Sequence, residues 1–165
     1  MERVLAGLAQ EVGDLLRRGE LTLGVVESAS GGLLSHLITG VPGCSDYYKG
    51  SIISYSNEVK TGLVGVKGNT IAGYGVVSGQ VAREMAQGGR IVLSVDICLA
   101  DTGIAGPGGA VPGKSVGLFY IGLADGAGAY SRKHNFSGAR EQNKLAAAGA
   151  ALEWLKEYLL GRNSP

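Results

Sequence analysis

The sequence has few cysteines and almost no excess of charge of either sign. Its 165 residues include two cysteines, Cys44 and Cys98, which are too few for a disulfide framework and lack the spacing of a zinc site. The 15 Lys and Arg residues against 14 Asp and Glu residues leave a net charge of +1. A nucleic-acid-binding surface normally needs a clear basic excess, so we expect no nucleic-acid partner.

Long apolar runs are also missing. No stretch reaches the roughly 18 uninterrupted apolar residues that a transmembrane helix needs, and charges at Glu2, Arg3 and Asp14 interrupt the start, so we expect no signal peptide. His36 and His134 have no acidic residue at metal-ligand spacing. The expectation is a cytoplasmic protein with no membrane partner, no metal and no cofactor.

Glycine, by contrast, is abundant, and apolar residues are well represented. The 29 glycines stand mainly at the ends of apolar runs, and hydrophobic residues make up 45% of the chain. Glycine at such places permits tight turns and close approach of the backbone to a ligand. The length corresponds to one domain with one core, so we predict a single domain over residues 1–165.

The apolar periodicity changes along the chain between helical and strand-like spacing. A continuous apolar run such as 21–26 is typical of a strand buried on both faces, and a late pair of runs joined by a short turn indicates an antiparallel hairpin. We predict a first helix that ends near Gly19 and further helices at 32–40, at 57–65, after Ser78 and from Ala139 to Leu160. The predicted strands are 21–26, 50–56, 94–103, 115–125 and 129–137. Loops are predicted around 66–75 and 104–114.

This order of elements predicts the fold class. Alternating strands and helices, followed by a hairpin, favour a three-layer α/β/α domain with a mixed, largely parallel sheet and a late antiparallel hairpin. Ligands of such sheets bind beyond the carboxyl ends of parallel strands. Three polar or glycine-rich stretches follow apolar strands and are expected to converge on one pocket: "ESASGG" (27–32), "SYSNEVK" (54–60) and "DTGIAGPGG" (101–109).

The first stretch is a candidate anion site. Ser28 or Ser30 can cap the following helix, and the backbone N–H groups of Ser30, Gly31 and Gly32 would then face outward from the positive end of that helix. An ordinary strand-to-helix turn explains the same residues, and the stretch matches neither the Walker A loop nor G-x-G-x-x-G. The residues alone leave both interpretations open.

The other two stretches carry a lysine and a glycine-rich loop. Lys60 follows Tyr55 and Asn57 near a helix start, where a partly dry pocket would lower its proton affinity and make it a general base; a solvated lysine is the alternative. Thr102 offers a hydroxyl at a strand end. Arg140 opens the last helix and can bind a phosphate or carboxylate, or pair with a nearby glutamate.

Taken in order, these stretches resemble the C-terminal domain of the competence/damage-inducible protein family CinA over nearly the whole chain. The carriers are "ESASGG", "VPGCSDYYKGSIISYSNEVK", "GVVSGQVAREMAQG", "DTGIAGPGG", "KSVGLFYIGLA" and "FSGAREQ". The resemblance implies an amidohydrolase that converts nicotinamide mononucleotide to nicotinic acid mononucleotide and ammonia. It also implies an α/β fold and frequent self-association. Other members of this family often carry an N-terminal domain that resembles molybdopterin-binding folds.

The resemblance also implies Ser–Lys chemistry. On the matching positions we expect Ser45 as the nucleophile, Lys60 as its base and Tyr55 as an aid to proton transfer, with Ser30 as the alternative nucleophile. The small-molecule nucleotide substrate is expected to contact Ser28, Ser30, Gly31, Gly32, Asn57, Thr102, Gly103, Gly106, Pro107 and Arg140. The chain is expected to form a homo-oligomer.

The chain departs from the family pattern at two places in the first stretch. The family commonly reads E-S-C-T-G-G, whereas this chain has Ala29 and Ser30, so an active protein cannot require a thiol at position 29. Two other functions remain open: a Ser–Lys hydrolase of another amide, and a nucleotide-binding regulatory module without turnover.

Overall fold

The protein is described by a computed structural model that covers residues 2–162. Six α-helices and five strands occur in this range. The helices are α1 (Glu2–Arg18), α2 (Leu33–Thr39), α3 (Asn57–Val64), α4 (Gly68–Tyr74), α5 (Gly79–Leu93) and α6 (Arg140–Arg162). The strands are β1 (Leu23–Glu27), β2 (Tyr48–Ile53), β3 (Ile97–Gly103), β4 (Leu118–Ala124) and β5 (Ala129–Asn135).

The five strands form one mixed sheet in the order β2-β1-β3-β4-β5. β1 pairs in parallel with β2 and with β3, whereas β4 runs antiparallel to both β3 and β5. Four strands therefore share one direction and only β4 opposes them. The carboxyl ends of β1, β2 and β3 consequently lie along one edge of the sheet, which is where the predicted polar stretches follow them.

Helices cover both faces of the sheet, which confirms the predicted α/β fold. One apolar core joins the sheet to α1, α2 and α6, and a second joins it to α3 and α5, with α4 against α5. All five residues of β1 are buried, as expected of a strand covered on both faces. The apolar stripe of α1, which includes Leu5, Leu8 and Val12, faces the core.

Serine caps fix the start of two helices. Ser56 accepts a hydrogen bond from the Val59 N–H at the start of α3, and Ser78 accepts one from Val81 at the start of α5. Each satisfies a backbone donor that would otherwise have no partner in the first turn. The helix predicted after Ser78 thus begins with Ser78 as its N-cap, and the helix predicted at 57–65 begins with Ser56 as its N-cap.

The segment around 66–75 was predicted as a loop, and this was wrong, because it contains α4. Its glycines weaken the helical signal. Tertiary contacts compensate: Thr70 Oγ1 donates to Glu84 Oε1 at 2.8 Å, and Ile71 packs against the α3/α5 core. None of the helices within 2–162 combines the length and apolar character of a membrane span.

The close approach of α3 and α5 generates a testable prediction. A Cβ at Gly88 would lie 1.6 Å from the backbone oxygen of Val64, whereas a Cβ at Gly62 meets nothing within 4 Å. We expect Gly88→Ala to lower the free energy of unfolding by about 1–3 kcal/mol, the usual cost of overpacking. Gly62→Ala, the matched control in an exposed helical position, is expected to raise it by about 0.5–1 kcal/mol. Urea unfolding measures both, and equal stability of the two variants would contradict the prediction.

Candidate active site

A cavity of about 300 Å³ opens at the carboxyl edge of β1, β2 and β3. It is bounded by the turn after β1, the start of α3, the segment before α5, the loop after β3 and the start of α6. Among the predicted site residues, those that line it are Ser28, Tyr55, Asn57, Lys60, Thr102, Gly103, Gly106 and Arg140. The structure therefore brings parts of all three predicted stretches, together with Arg140, to one pocket.

Lys60 is the most unusual residue of the pocket, because its side chain is only 1% exposed. Its Nζ lies 2.8 Å from the carbonyl oxygen of Ser54, 3.0 Å from that of Tyr55 and 3.0 Å from Oγ of Ser28. Lys60 stands one turn into α3, so its side chain reaches back over the end of β2. A lysine so buried and so bonded is not solvated, and the solvated-lysine alternative does not apply.

The burial of Lys60 favours the neutral amine over the ammonium ion. Burial lowers the pKa of Lys60, and the nearby Asp101 carboxyl partly offsets this. The two carbonyl oxygens can only accept hydrogen bonds, so they take two N–H groups of the amine. The third tetrahedral position, which holds the lone pair of a neutral amine, then points at Ser28 Oγ. A lone pair in this place can take the proton of the Ser28 hydroxyl.

Ser28 belongs to the turn between β1 and α2, and it is 8% exposed. Gly31 and Gly32 shape this turn with φ values of 62° and 100°, which are left-handed conformations that favour glycine. Ala29, the residue that departs from the family pattern, also lines the cavity.

The backbone donors of the candidate anion site at the start of α2 bind the protein's own carboxylates, which favours the alternative of a strand-to-helix turn. Gly32 N–H donates to Glu27 Oε2 at 2.9 Å, and Ser30 N–H donates to Asp101 Oδ1 at 3.0 Å. Gly32 is the N-cap of α2, and no serine side chain caps this helix. Ser30, Gly31 and Gly32 are not among the described residues that line the cavity.

The expected pairing of Ser45 with Lys60 is not found. Ser45 lies in a 3₁₀ turn, Cys44–Asp46, which comes before β2, whereas Lys60 binds the carbonyl oxygens that come after β2. The six residues of β2 separate the two places by roughly 20 Å. Ser30, the alternative, is 1% exposed and bonds to Glu27 and Asp101 instead of a lysine. Ser28 therefore takes the place next to the base.

Tyr55 and Arg140 meet at the rim of the pocket. Arg140 donates to the Gly106 carbonyl oxygen at 2.7 Å and to the Tyr55 hydroxyl at 3.3 Å. Within residues 2–162, Arg140 has these two partners in place of a glutamate. Tyr55 is 61% exposed, and it contacts Lys60 through its carbonyl oxygen. No contact of its hydroxyl with the lysine occurs in the described chain, so a part of this hydroxyl in proton transfer stays a prediction.

Residues of the loop after β3 form the opposite wall. Thr102 is 1% exposed and donates from Oγ1 to the Val76 carbonyl oxygen at 2.9 Å. Gly103 and Gly106 line the cavity, but Pro107 is not among its described lining residues.

Several residues of the site were not predicted from the sequence. Val76 and Val77 line the cavity, although nothing in their apolar segment marks it as part of a binding wall. Glu27 and Asp101 bind the turn that carries Ser28. Their position at the carboxyl ends of β1 and β3 was a usable signal, because acidic side chains in fully buried strands need hydrogen-bond partners nearby. Residues 2–162 contain no group of three or more His, Cys, Asp or Glu side chains arranged to hold a metal ion.

The fold and the site together define a three-layer α/β domain with a buried serine–lysine pair at the carboxyl edge of its sheet. The chain belongs to the CinA family, because residues 5–159 match its CinA C-terminal domain. It is 44% identical over 148 residues to a CinA-like protein of Salinibacter ruber, and the matched region covers 90% of this chain and 36% of that protein. It is 46% identical over 153 residues to a putative competence-damage inducible protein of Halothermothrix orenii, with 92% and 37% covered.

Solved structures agree with this assignment. The competence/damage inducible protein CihA from Agrobacterium tumefaciens superposes with a TM-score of 0.90 at 30% identity, covering 94% of each chain. A CinA superfamily protein from Klebsiella pneumoniae gives a TM-score of 0.92 at 25% identity, covering 95% of this chain and 98% of that one. The chain spans little more than a third of the length of the two curated relatives above, but nearly all of these solved chains.

The burial of Lys60 predicts a pH-dependent effect on stability. The pKa of Lys60 in the folded protein lies below the ordinary value of 10.5. Between the folded-state pKa and the unfolded-state pKa, the unfolded chain binds more protons than the folded one. The contribution of Lys60 to the free energy of unfolding therefore rises with pH in this range. We expect the free energy of unfolding of the wild type, minus that of Lys60→Met, to increase from neutral pH towards pH 10. Lys49→Met, which removes an exposed lysine of β2, is the control. Urea unfolding across this pH range measures the difference, and parallel curves would contradict the prediction.

Proposed function

We propose that the protein is a serine–lysine amidohydrolase that converts nicotinamide mononucleotide to nicotinic acid mononucleotide and ammonia. The observation that carries this proposal is the 3.0 Å contact between Ser28 Oγ and the buried Nζ of Lys60. A hydroxyl that faces a neutral amine is an activated nucleophile. We infer the identity of the substrate from the membership in the CinA family and from the charge of the pocket.

The chemistry needs two steps at one carbonyl carbon. Ser28 Oγ attacks the carboxamide carbon, and Lys60 Nζ takes the hydroxyl proton. The C–N bond then breaks, and Lys60 returns the proton to the leaving nitrogen, which departs as ammonia. A water molecule hydrolyses the resulting ester with Lys60 as base, which frees the acid and Ser28. Backbone N–H groups of the glycine-rich loop 103–109 would stabilise the oxyanion.

The pocket suits an anionic substrate. Arg140 stands at its rim with a guanidinium held by the Gly106 carbonyl oxygen and the Tyr55 hydroxyl. No carboxylate occurs among the described lining residues. A guanidinium binds phosphate through charge-assisted hydrogen bonds, so we assign the substrate's phosphate to Arg140 rather than to the start of α2, whose donors Glu27 already engages.

The remaining features of the proposal are the substrate class, the oligomeric state, the partners and the location of the protein. It acts on a small-molecule nucleotide, forms a homo-oligomer, binds neither nucleic acid nor membranes, and works in the cytoplasm. Light scattering after size exclusion tests the self-association.

Alanine variants test the catalytic pair. We expect Ser28→Ala and Lys60→Ala each to lower ammonia release from nicotinamide mononucleotide by at least about 10³-fold, since the nucleophile and its base act as a unit. Ser45→Ala, the matched serine control before β2, should retain full activity. Ammonia and nicotinic acid mononucleotide are measured together in chelator-treated protein.

Three outcomes would redirect the assignment. Full activity of Ser28→Ala would remove the proposed nucleophile. Activity on simple carboxamides equal to that on the nucleotide would favour a hydrolase of another amide. A rise in thermal stability with nicotinamide mononucleotide, without any product between pH 6 and 10, would favour a nucleotide-binding regulatory module.

The role of Arg140 has its own prediction. Arg140→Met should raise KM for nicotinamide mononucleotide about 10–100-fold with a smaller change in kcat, because a charge-assisted hydrogen bond is worth about 1.5–3 kcal/mol. The uncharged substrate nicotinamide riboside should be affected much less. Arg83→Met, a change on α5 where Arg83 bonds Ser131, is the matched control. An equal loss on both substrates would contradict phosphate binding by Arg140.

A further inference from the structure

A buried pair of carboxyl groups lies beneath the turn that carries Ser28. Glu27 ends β1 and is 0% exposed, and Asp101, near the end of β3, is 2% exposed. The hydroxyl of Ser30 connects them: its Oγ lies 2.6 Å from Glu27 Oε2 and also contacts Asp101 Oδ2. Neither acid lines the cavity among the described residues, so the proposed reaction leaves this cluster without a role.

Counting hydrogens shows that the cluster needs one more proton. The Ser30 hydroxyl has a single hydrogen and can donate it to one carboxylate only. Its oxygen nevertheless lies within hydrogen-bond distance of both acids. Two ionised carboxylates would leave one of these contacts as a repulsion between oxygens. A proton on one of the two acids, donated to Ser30 Oγ, removes this repulsion.

The donors around each acid identify Asp101 as the protonated one. Both oxygens of Glu27 face donors only: Oε2 accepts from Gly32 N and Leu34 N, and Oε1 accepts from the backbone N–H and the hydroxyl of Ser35. The backbone N–H groups on both oxygens can only donate, so a hydrogen on either oxygen of Glu27 would face a donor. Asp101 has fewer donors, namely the Ser30 N–H at 3.0 Å and the Ser28 N–H at 3.4 Å, besides the shared hydroxyl.

We propose that Asp101 is a positioning residue that acts as a neutral carboxylic acid, joined to the Glu27 carboxylate through Ser30. This network fixes the backbone on both sides of Ala29 and so directs the hydroxyl of Ser28 at Lys60. The proposal rests on Ser28 being the nucleophile of the proposed function. It does not depend on which carboxamide is the substrate.

The pKa of Asp101 favours the neutral form more than that of an ordinary aspartic acid does. Burial is the main cause of a rise from 3.8 to about 6; within that value the Glu27 carboxylate acts to raise the pKa, and hydrogen bonds from Ser30 and Ser28 act to lower it. The titratable groups near Asp101 are Glu27, from the end of β1, and Lys60, from α3; on β4 it faces the apolar Ile121. A neutral acid also leaves less negative charge beneath the place where the reaction develops an oxyanion.

Amide variants locate the proton without any assay of activity. In Asp101→Asn, the new NH₂ group can donate to Ser30 Oγ as the acid does, and it faces a backbone N–H only in the long contact with Ser28 at 3.4 Å. In Glu27→Gln, either orientation of the amide places NH₂ against a backbone N–H at 3.0 Å or less. We expect thermal unfolding of Asp101→Asn within about 5 °C of the wild type, and Glu27→Gln lower than Asp101→Asn by at least 10 °C, since several hydrogen bonds to a buried group are lost. The reverse order would assign the proton to Glu27, and equal large losses would exclude a shared proton. Either result overturns the proposal.

The pH dependence of the same variants gives a second test. A folded-state pKa of about 6, above the ordinary 3.8, stabilises the fold at low pH, and this contribution is lost as pH rises through about 6. The melting temperature of the wild type minus that of Asp101→Asn should therefore fall between pH 4 and pH 7. A constant difference would overturn the neutral acid.

Covalent labelling of Ser28 tests the positioning role. With an alkyl fluorophosphonate, Ser28 Oγ forms a bond to phosphorus, the P–F bond breaks, and Lys60 takes the proton while fluoride leaves. Intact-protein mass spectrometry gives the rate. We expect Ser30→Ala to label at least tenfold more slowly than the wild type, and Ser30→Thr, which keeps the hydroxyl, within threefold of it. Ser35→Ala, which also removes a hydroxyl bonded to Glu27 but leaves Asp101 untouched, should also stay within threefold.

The outcomes separate this inference from the proposed function. A wild type that labels at Ser28 but releases no ammonia would refute the amidohydrolase and leave the positioning role standing. Equal labelling of Ser30→Ala and the wild type would refute positioning, whatever the ammonia assay shows. Slow labelling of both Ser30→Ala and Ser35→Ala would show that the network acts only as a cap of α2, which would overturn the inference. The absence of any label at Ser28 in the wild type would overturn it as well.

Discussion

The structure depends on the burial of one lysine. An ammonium group taken out of water costs several kcal/mol, and this cost favours the neutral amine of Lys60, which contacts two carbonyl oxygens at the end of β2 and a hydroxyl at the end of β1. Parallel pairing of these strands brings the three groups to one side of the sheet. This arrangement depends on the sheet order, on the serine cap that starts α3 and on the turn after β1.

Two acidic side chains are buried beneath the turn that carries Ser28. Glu27 and Asp101 bind the backbone of the turn instead of a ligand, so the donors of the α2 start hold the protein's own carboxylate. This gives a rigid turn in a short and glycine-rich connection. It also explains why the cation available to a substrate stands elsewhere, on the first turn of α6.

Much of this fold could be predicted from apolar periodicity, and the caps of α3 and α5 from serines before helical runs. Lys60, Thr102 and Arg140 could also be predicted to share a pocket, since they follow strands or open helices. The choice between Ser28 and Ser45 could not be made from residue type, because both stand in small, polar loops. Chain direction distinguishes them: Ser28 follows a strand and Ser45 precedes one. The carboxyl network could not be predicted, since it depends on side-chain contacts between residues more than 70 positions apart.

The position of Arg140 on α6, away from the strands that carry the reacting groups, has an evolutionary consequence. The serine, the lysine and the acids beneath them come from residues 27–60 and from β3, whereas the guanidinium comes from a helix at the other end of the chain. In the proposed function, substrate recognition and bond cleavage thus depend on different segments of the chain. Mutations at the start of α6 can then change which molecules the pocket binds without disturbing Ser28 and Lys60. Proteins descended from one ancestor could thus acquire different substrates through changes at the rim of the pocket.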